Sequence, residues 1–397
     1  MDLETAKARL VEEIEARAGL LLDVSHQIHA QPELCFDEHH AHDLLTGVLE
    51  DAGVVPERHA CGLDTAFLAR AGSSGPVVAV FLEYDALPEI GHACGHNIIA
   101  AAGLGAGLAA AALADELGGR VLIAGSPAEE GGGGKVFMIE AGALEGVDAA
   151  MMVHPAGSDI RRMQAIAIQQ LWVEYEGRAA HAAAAPHLGR NALDAAVLGY
   201  VNVAALRQHI RSDERVHGIF TRAGDKPNIV PADAAAQYYV RAADLRQLEE
   251  LKPRVLACLE AGALAAGVEM RHEWKEPAYA DVRDNVPMGD LYAANAARLG
   301  RDVAADPAVP VVGSTDMGNV SYAVPSIHPM ISAAPADVSI HTTDFERFAG
   351  GAQGDRAVLD GAKAMAMTIA DLWLDDGALE AARRAFRDDP AIAAGAR

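Results

Sequence analysis

Three apolar runs, each closing on polar or charged residues, set the pattern of the N-terminal part of the chain: GPVVAVFLEYDALP at 75–88, VLIAGSPAEE at 121–130 and AAMMVHP at 149–155. Runs of this length bounded by Gly and Pro predict strands buried on both faces. Between them lie helical stretches. Leu10, Val11 and Ile14, then Leu21 and Leu22, fall at helical spacing, and a second helix is expected over 38–52, closed by Gly53. Ile98–Ala114 carries no charge and consists largely of Ala and Gly, and a further helix begins near Lys135. Buried strands alternating with helices predict a parallel sheet covered on both faces.

From about Ala165 the texture changes. IQQLWVEYEG alternates faces, 191–210 is an amphipathic helix, HGIFTRAG and AAAQYYVRA are strands, 245–266 is a helix and VEMRHEW a last strand. The order β-α-β-β-α-β predicts a ferredoxin-like insert over 166–275. The α/β pattern then resumes with a helix near 290–299, a strand in SIHPMISA and a helix at 355–374. The expected fold class is therefore α/β: a discontinuous, mostly parallel-sheet domain (1–165 and 276–397) interrupted by the insert.

Composition narrows the function. With 397 residues, 51% of them hydrophobic, the chain can bury a sizeable core. A net charge of −24 argues against nucleic acid, whose phosphates need clustered Lys and Arg. Four unpaired-looking cysteines and an acidic start without a cationic-then-apolar leader predict a reducing, cytoplasmic setting. The uncharged stretch at 98–114 is short for a membrane span and is expected to be a buried core helix, so no membrane partner is expected.

The candidate chemistry gathers where the predicted strands end. The first runs into Asp85 and HACGHN, the second into Glu129 and Glu130, the third into His154. Ligands of open α/β sheets bind in the crevice outside the carboxyl ends of the strands. Cys94 and His96 flank a glycine and can point one way, Asn97 is placed to cap the next helix, and that helix N-terminus favours a thiolate. Of the adjacent glutamates, one can bind metal while the other handles protons. GGGGK at 131–135 lacks the spacing of a phosphate loop and reads as a flexible turn. Two other readings stay open: a thiol-dependent hydrolase with Cys94 as nucleophile, and a non-catalytic metal-binding relative.

These residues carry a family likeness. QPELCFDEHHA, EYDALPEIGHACGHN, SPAEEGGGGK, MMVHP, EGRAAHAAAAPHLGRNALDA, NIVPADAAAQYYVRA, STDMGNVSYAVPSIHP and SIHTTDF occur in this order along the chain. The chain resembles the metallopeptidase-20 family, in particular the amidohydrolase branch that includes indole-acetyl-amino-acid hydrolases, N-acyl-amino-acid amidohydrolases and p-aminobenzoyl-glutamate hydrolase. The resemblance implies two divalent metal ions bridged by Cys94 and completed by His96, Glu130, His154 and His341. It implies Glu129 as general base and acid. It also implies an inserted lid and dimerisation domain, with His181 stabilising the oxyanion from the other subunit of a homodimer and Asn228 and Arg241 holding a substrate carboxylate. His328 competes with His341 for the last position but lies in a predicted strand. Asn97 and Glu83 depart from the commoner pattern, which leaves Asp85 to orient a metal ligand rather than bind metal itself. Zinc, manganese and cobalt all suit the donor set. The expected activity is hydrolysis of the amide of a dipeptide or an N-acyl or N-aroyl amino acid with a free carboxylate.

Overall fold

The computed structural model describes residues 1–306 and 312–393. They divide into two compact units, one of Met1–Gln164 with Val282–Arg397 and one of Ala165–Asp281. The last strand of the second unit runs Glu269–Tyr279, past the 275 boundary expected from VEMRHEW, because its pairing resumes after an irregularity between Lys275 and Tyr279.

Among the described residues, the first unit holds a six-stranded sheet in the order Pro56–Arg58, Phe67–Ala71, Arg120–Ser126, Val77–Glu83, Ala149–Met151 and Ser326–Ile327. The last four are mutually parallel, and the first two are antiparallel additions at one edge. Alternation explains the unbroken apolar runs. Val78, Val80, Leu82, Val121 and Ile123 enter one core, while Ala79, Phe81, Leu122 and Ala124 enter the core on the opposite face. With both faces buried, the middles of these strands are apolar, and polar residues appear only at their ends, as at Arg120, Glu83 and Ser126.

The Ala/Gly stretch forms the helix His96–Leu117. It is long and apolar enough to cross a membrane, but 89% of its apolar window is buried inside the protein. Its glycines set how closely it packs. A Cβ at Gly107 would stand 2.6 Å from Ile123 Cγ1, so only hydrogen fits there. The strand foreseen in SIHPMISA is split into Ser326–Ile327 and Met330–Ser332, the second pairing in parallel with His154–Ala156.

The second unit has the element order β-α-β-β-α-β and a four-stranded antiparallel sheet. Its strands run, edge to edge, Glu269–Tyr279, Ala167–Glu176, Asp233–Ala242 and Arg215–Arg222. Leu171, Val173, Tyr175, Tyr238 and Val240 pack with residues of the helices Ala192–Leu206 and Leu245–Ala266 in one core. The alternate residues, among them Trp172, Tyr239 and Arg241, belong to the opposite face of the sheet.

Candidate metal centre

Neighbouring parallel strands end along one edge, and that brings three separate motifs together. Val77–Glu83 leads through buried Tyr84 into Asp85, Arg120–Ser126 leads into Glu129 and Glu130, and Ala149–Met151 leads into His154. Between Cys94 and His96 the chain turns at Gly95, with φ 80°, and a Cβ there would lie 2.5 Å from Pro155 Cγ. Glycine is required on both counts. His341 comes from the C-terminal segment in a left-handed conformation (φ 63°), with its N–H donating to Ala93 O at 2.8 Å. Such a backbone is uncommon for non-glycine residues, though histidine is among those that adopt it more readily.

Cys94 Sγ lies 3.5 Å from His154 Nε2 and 3.3 Å from His341 Nε2. His96 Nδ1 pairs with Asp85 Oδ1 at 3.0 Å, leaving Nε2 to face Glu130 Oε1 at 3.8 Å and Glu129 Oε2 at 3.9 Å. Glu130 Oε1 is 3.4 Å from His341 Nε2, and the Glu130 N–H donates to Asp85 Oδ2 at 2.9 Å. Among the described residues, three sets of donor atoms lie close enough to hold a cation: Cys94, His96 and His154; Cys94, Glu130 and His341; and Glu83, His96 and Glu129. His96 Nε2, Glu130 Oε1 and Glu83 Oε2 are buried polar atoms without a hydrogen-bond partner among the described residues. Buried polar atoms are normally satisfied, so converging orphans of this kind fit a metal centre. The thiolate, imidazole and carboxylate mixture suits zinc and related ions.

The electrostatics of the centre divide: burial would lower His96, but Cys94 and Asp85 raise it well above its ordinary range, so an ion binding there has to displace its proton. Burial, and then the Glu130 carboxylate, push the Cys94 thiol well above its ordinary range. A cysteine nucleophile needs a depressed pKa, and burial works against one here, whereas a bound cation would stabilise the thiolate. Burial lowers His154 to about 4, with His96 adding to the effect, so it presents the neutral imidazole a metal requires. Burial, with Glu83 and Glu130 nearby, raises Glu129 well above the usual carboxylate range. Asp85 goes the other way. Burial would raise it, but the His96 imidazole and the Glu130 N–H bring it to about 2.

His181, Asn228 and Arg241 lie in the second unit. His181 Nδ1 accepts from the Ala184 N–H at 3.1 Å, and the Ala182 N–H donates to Asn228 O at 3.0 Å, so those two loops run side by side. Arg241, on Asp233–Ala242, places its guanidinium 5.8 Å from the Tyr239 ring centre. His328 is buried beside His154, ring centres 5.4 Å apart, with both ring nitrogens unpartnered among the described residues. It belongs to none of the three donor sets.

One expectation is corrected. Asn97 does not cap its helix: Gly95 holds that position, and the buried Asn97 amide donates to Ser25 Oγ and Ala349 O at 2.9 and 3.0 Å. The sequence reading also left Lys135 and Asp316 unassigned and gave Glu83 no role. All three are buried next to the centre, at 0% exposure. A lysine with no exposure is the one signal that could have flagged them, and exposure is invisible in a sequence.

Comparison with known proteins adds the following. The profile of Peptidase family M20/M25/M40 matches residues 79–371. The Xaa-Arg dipeptidase of Mus musculus is 39% identical over 403 residues, covering 97% of this chain and 93% of that protein. The indole-3-acetyl-aspartic acid hydrolase of Enterobacter agglomerans is 30% identical over 229 residues, 50% of this chain and 52% of that one. In fold, the chain matches the aminobenzoyl-glutamate utilization protein from Klebsiella pneumoniae with a TM-score of 0.73 at 20% identity, over 92% of this chain and 98% of that one.

Proposed function

The chain belongs to Peptidase family M20/M25/M40 and is a metal-dependent amidohydrolase, and on that premise we propose how its residues divide the work. Cys94 would contribute its sulfur to two ion positions, with His96 and His154 able to hold one ion and Glu130 and His341 the other. The carrying observation is that a single sulfur belongs to both donor sets. Divalent ions bound there, zinc or manganese with cobalt as a substitute, would acidify a water and polarise the amide carbonyl.

Glu129 takes the proton from the attacking water and returns it to the leaving amine. Its low exposure of 7%, and the carboxylates around it, raise its proton affinity toward what such a shuttle needs. Asp85 fixes the His96 ring so that Nε2 faces the centre. His181 donates to the oxyanion, a contact worth about 3 kcal/mol in such sites. Arg241 and Asn228 hold the substrate carboxylate, for which a guanidinium fork is suited.

The substrate class we favour is a dipeptide with a cationic C-terminal residue. The name of the mouse relative points that way, and a net charge of −24 attracts cationic substrates. The second unit would act as the lid and dimerisation domain of a cytoplasmic homodimer, with His181 working across the interface. Support comes from its edge strand Arg215–Arg222, where Ile219 is 65% exposed, and from Val201 at 55% on the helix Ala192–Leu206. An open strand edge offers unpaired backbone groups with which a partner strand can pair.

The test is a hydrolysis screen of Xaa-Arg and Xaa-Lys dipeptides, N-acyl amino acids and aminobenzoyl-glutamate, each with a free and an amidated carboxylate, for wild type and Glu129→Gln. We expect cleavage of free-carboxylate dipeptides and a loss in kcat of about 10²–10⁴ in the variant with its metal content intact. Near-full activity of Glu129→Gln would refute the proton-transfer role.

A further inference from the structure

Lys135 has no task in the scheme above, yet its surroundings are costly to build. It ends the glycine run and is fully buried, at 0% exposure. An unpaired ammonium in such a place is strongly unfavourable, so its partners matter. Lys135 Nζ binds Asp316 Oδ1 at 2.7 Å and contacts Glu83 Oε1, while the Lys135 backbone N–H donates to Asp316 Oδ2 at 3.0 Å. Asp316 therefore grips Lys135 twice, and Lys135 grips one oxygen of Glu83.

The other Glu83 oxygen is the informative one. Among the described residues Oε2 is buried without a hydrogen-bond partner, and it stands 3.6 Å from His96 Nε2, which is likewise unpartnered there. Two donors on one tetrahedral ion with bonds of about 2.0–2.2 Å lie about 3.4 Å apart, close to the separation found. Glu83, His96 and Glu129 also place their donor atoms within 4.8 Å of one another. One ammonium between two carboxylates leaves the trio net negative, and the remaining charge faces the centre. An ion-pair network serving only packing would be expected to satisfy both oxygens of Glu83.

We propose that Lys135, braced by Asp316, is a positioning residue that turns Glu83 Oε2 into the donor cluster, where Glu83 shares an ion with His96. The idea rests on the metallo-amidohydrolase reading and refines it. Metal-free wild type, Glu83→Gln, Lys135→Met and Asp316→Asn are each titrated with Co²⁺, reading stoichiometry by elemental analysis and the visible absorption bands. Wild type should take two ions. Glu83→Gln should lose affinity for one of them by about 10–100-fold with altered bands for that ion alone, and Lys135→Met, which removes no donor, should show the same selective loss. If Lys135→Met fails to fold by circular dichroism, Asp316→Asn decides in its place with a smaller loss at the same ion. Affinities within about threefold of wild type for both ions, in Glu83→Gln and in the deciding variant, overturn the proposal alone. A wild type that takes up no Co²⁺ overturns the metal reading itself.

Discussion

Asp85→Asn is the sharpest probe of how the centre is held. Each carboxylate oxygen of Asp85 accepts from a different group: Oδ1 from His96 Nδ1 at 3.0 Å, Oδ2 from the Glu130 N–H at 2.9 Å, with Cys35 Sγ also at 3.5 Å from Oδ2. Asparagine offers one oxygen and one NH₂. If the oxygen stays on Glu130, the NH₂ faces His96 Nδ1 and drives the ring proton to Nε2, the atom that faces the centre. If the oxygen turns to His96, the NH₂ opposes the Glu130 N–H. With the residue 1% exposed, water cannot relieve either arrangement. Loss of such a partner weakens metal binding by about 10–100-fold, or about 1.4–2.8 kcal/mol. Calorimetric titration of the metal-free protein with Zn²⁺ reads this directly. Wild-type affinity for both ions in Asp85→Asn, with the fold intact, would refute the argument that Asp85 selects the His96 tautomer.

Other outcomes follow from the same geometry. Cys94→Ser should lower the affinity of both ions together, because the sulfur belongs to both donor sets; loss of only one, measured by metal content after dialysis, would contradict bridging. Burial raises Glu38 to about 7 from an ordinary 4.5, so the folded protein holds that proton more tightly than the unfolded chain. Its contribution to stability is therefore greatest below about pH 4.5 and falls by about 1.4 kcal/mol per unit as the pH rises to about 7. Glu38→Gln should melt higher than wild type at pH 8 with the gap shrinking toward pH 5, and a gap independent of pH would count against it. Ile219→Arg should yield monomers in light scattering while leaving the metal content unchanged; an intact dimer would move the interface elsewhere.

Much of the candidate site was legible because parallel strands leave a simple trace. Where both faces are buried, the chain stays apolar until it emerges, so Asp85, Glu129 and His154 stand out at the points of emergence. Other features depend on contacts with no local trace. Lys135 reaches Glu83 across 52 residues and Asp316 across 181, and the glycines before it read only as a turn. Asn97 has the residue type of a cap, but burial turned its amide toward Ser25 and Ala349 instead. The antiparallel edge strands Pro56–Arg58 and Phe67–Ala71 are too short to give a periodic signal.

The division of the first unit into two segments also sets an order of events at the ribosome. Cys94, His96, Glu129, Glu130 and His154 all precede the insert, whereas Ser326–Ile327, which pairs with Ala150–Met151, and His341 follow it. During synthesis at about 5–20 residues per second, the insert emerges and can fold while the donor cluster is still incomplete. A nascent chain stalled before Ser326 would carry a cluster lacking only His341, with one strand position of its sheet vacant. Metal supplied at that stage would meet an open set of donors, and the C-terminal segment would close it last by bringing His341 beside Cys94 and Glu130.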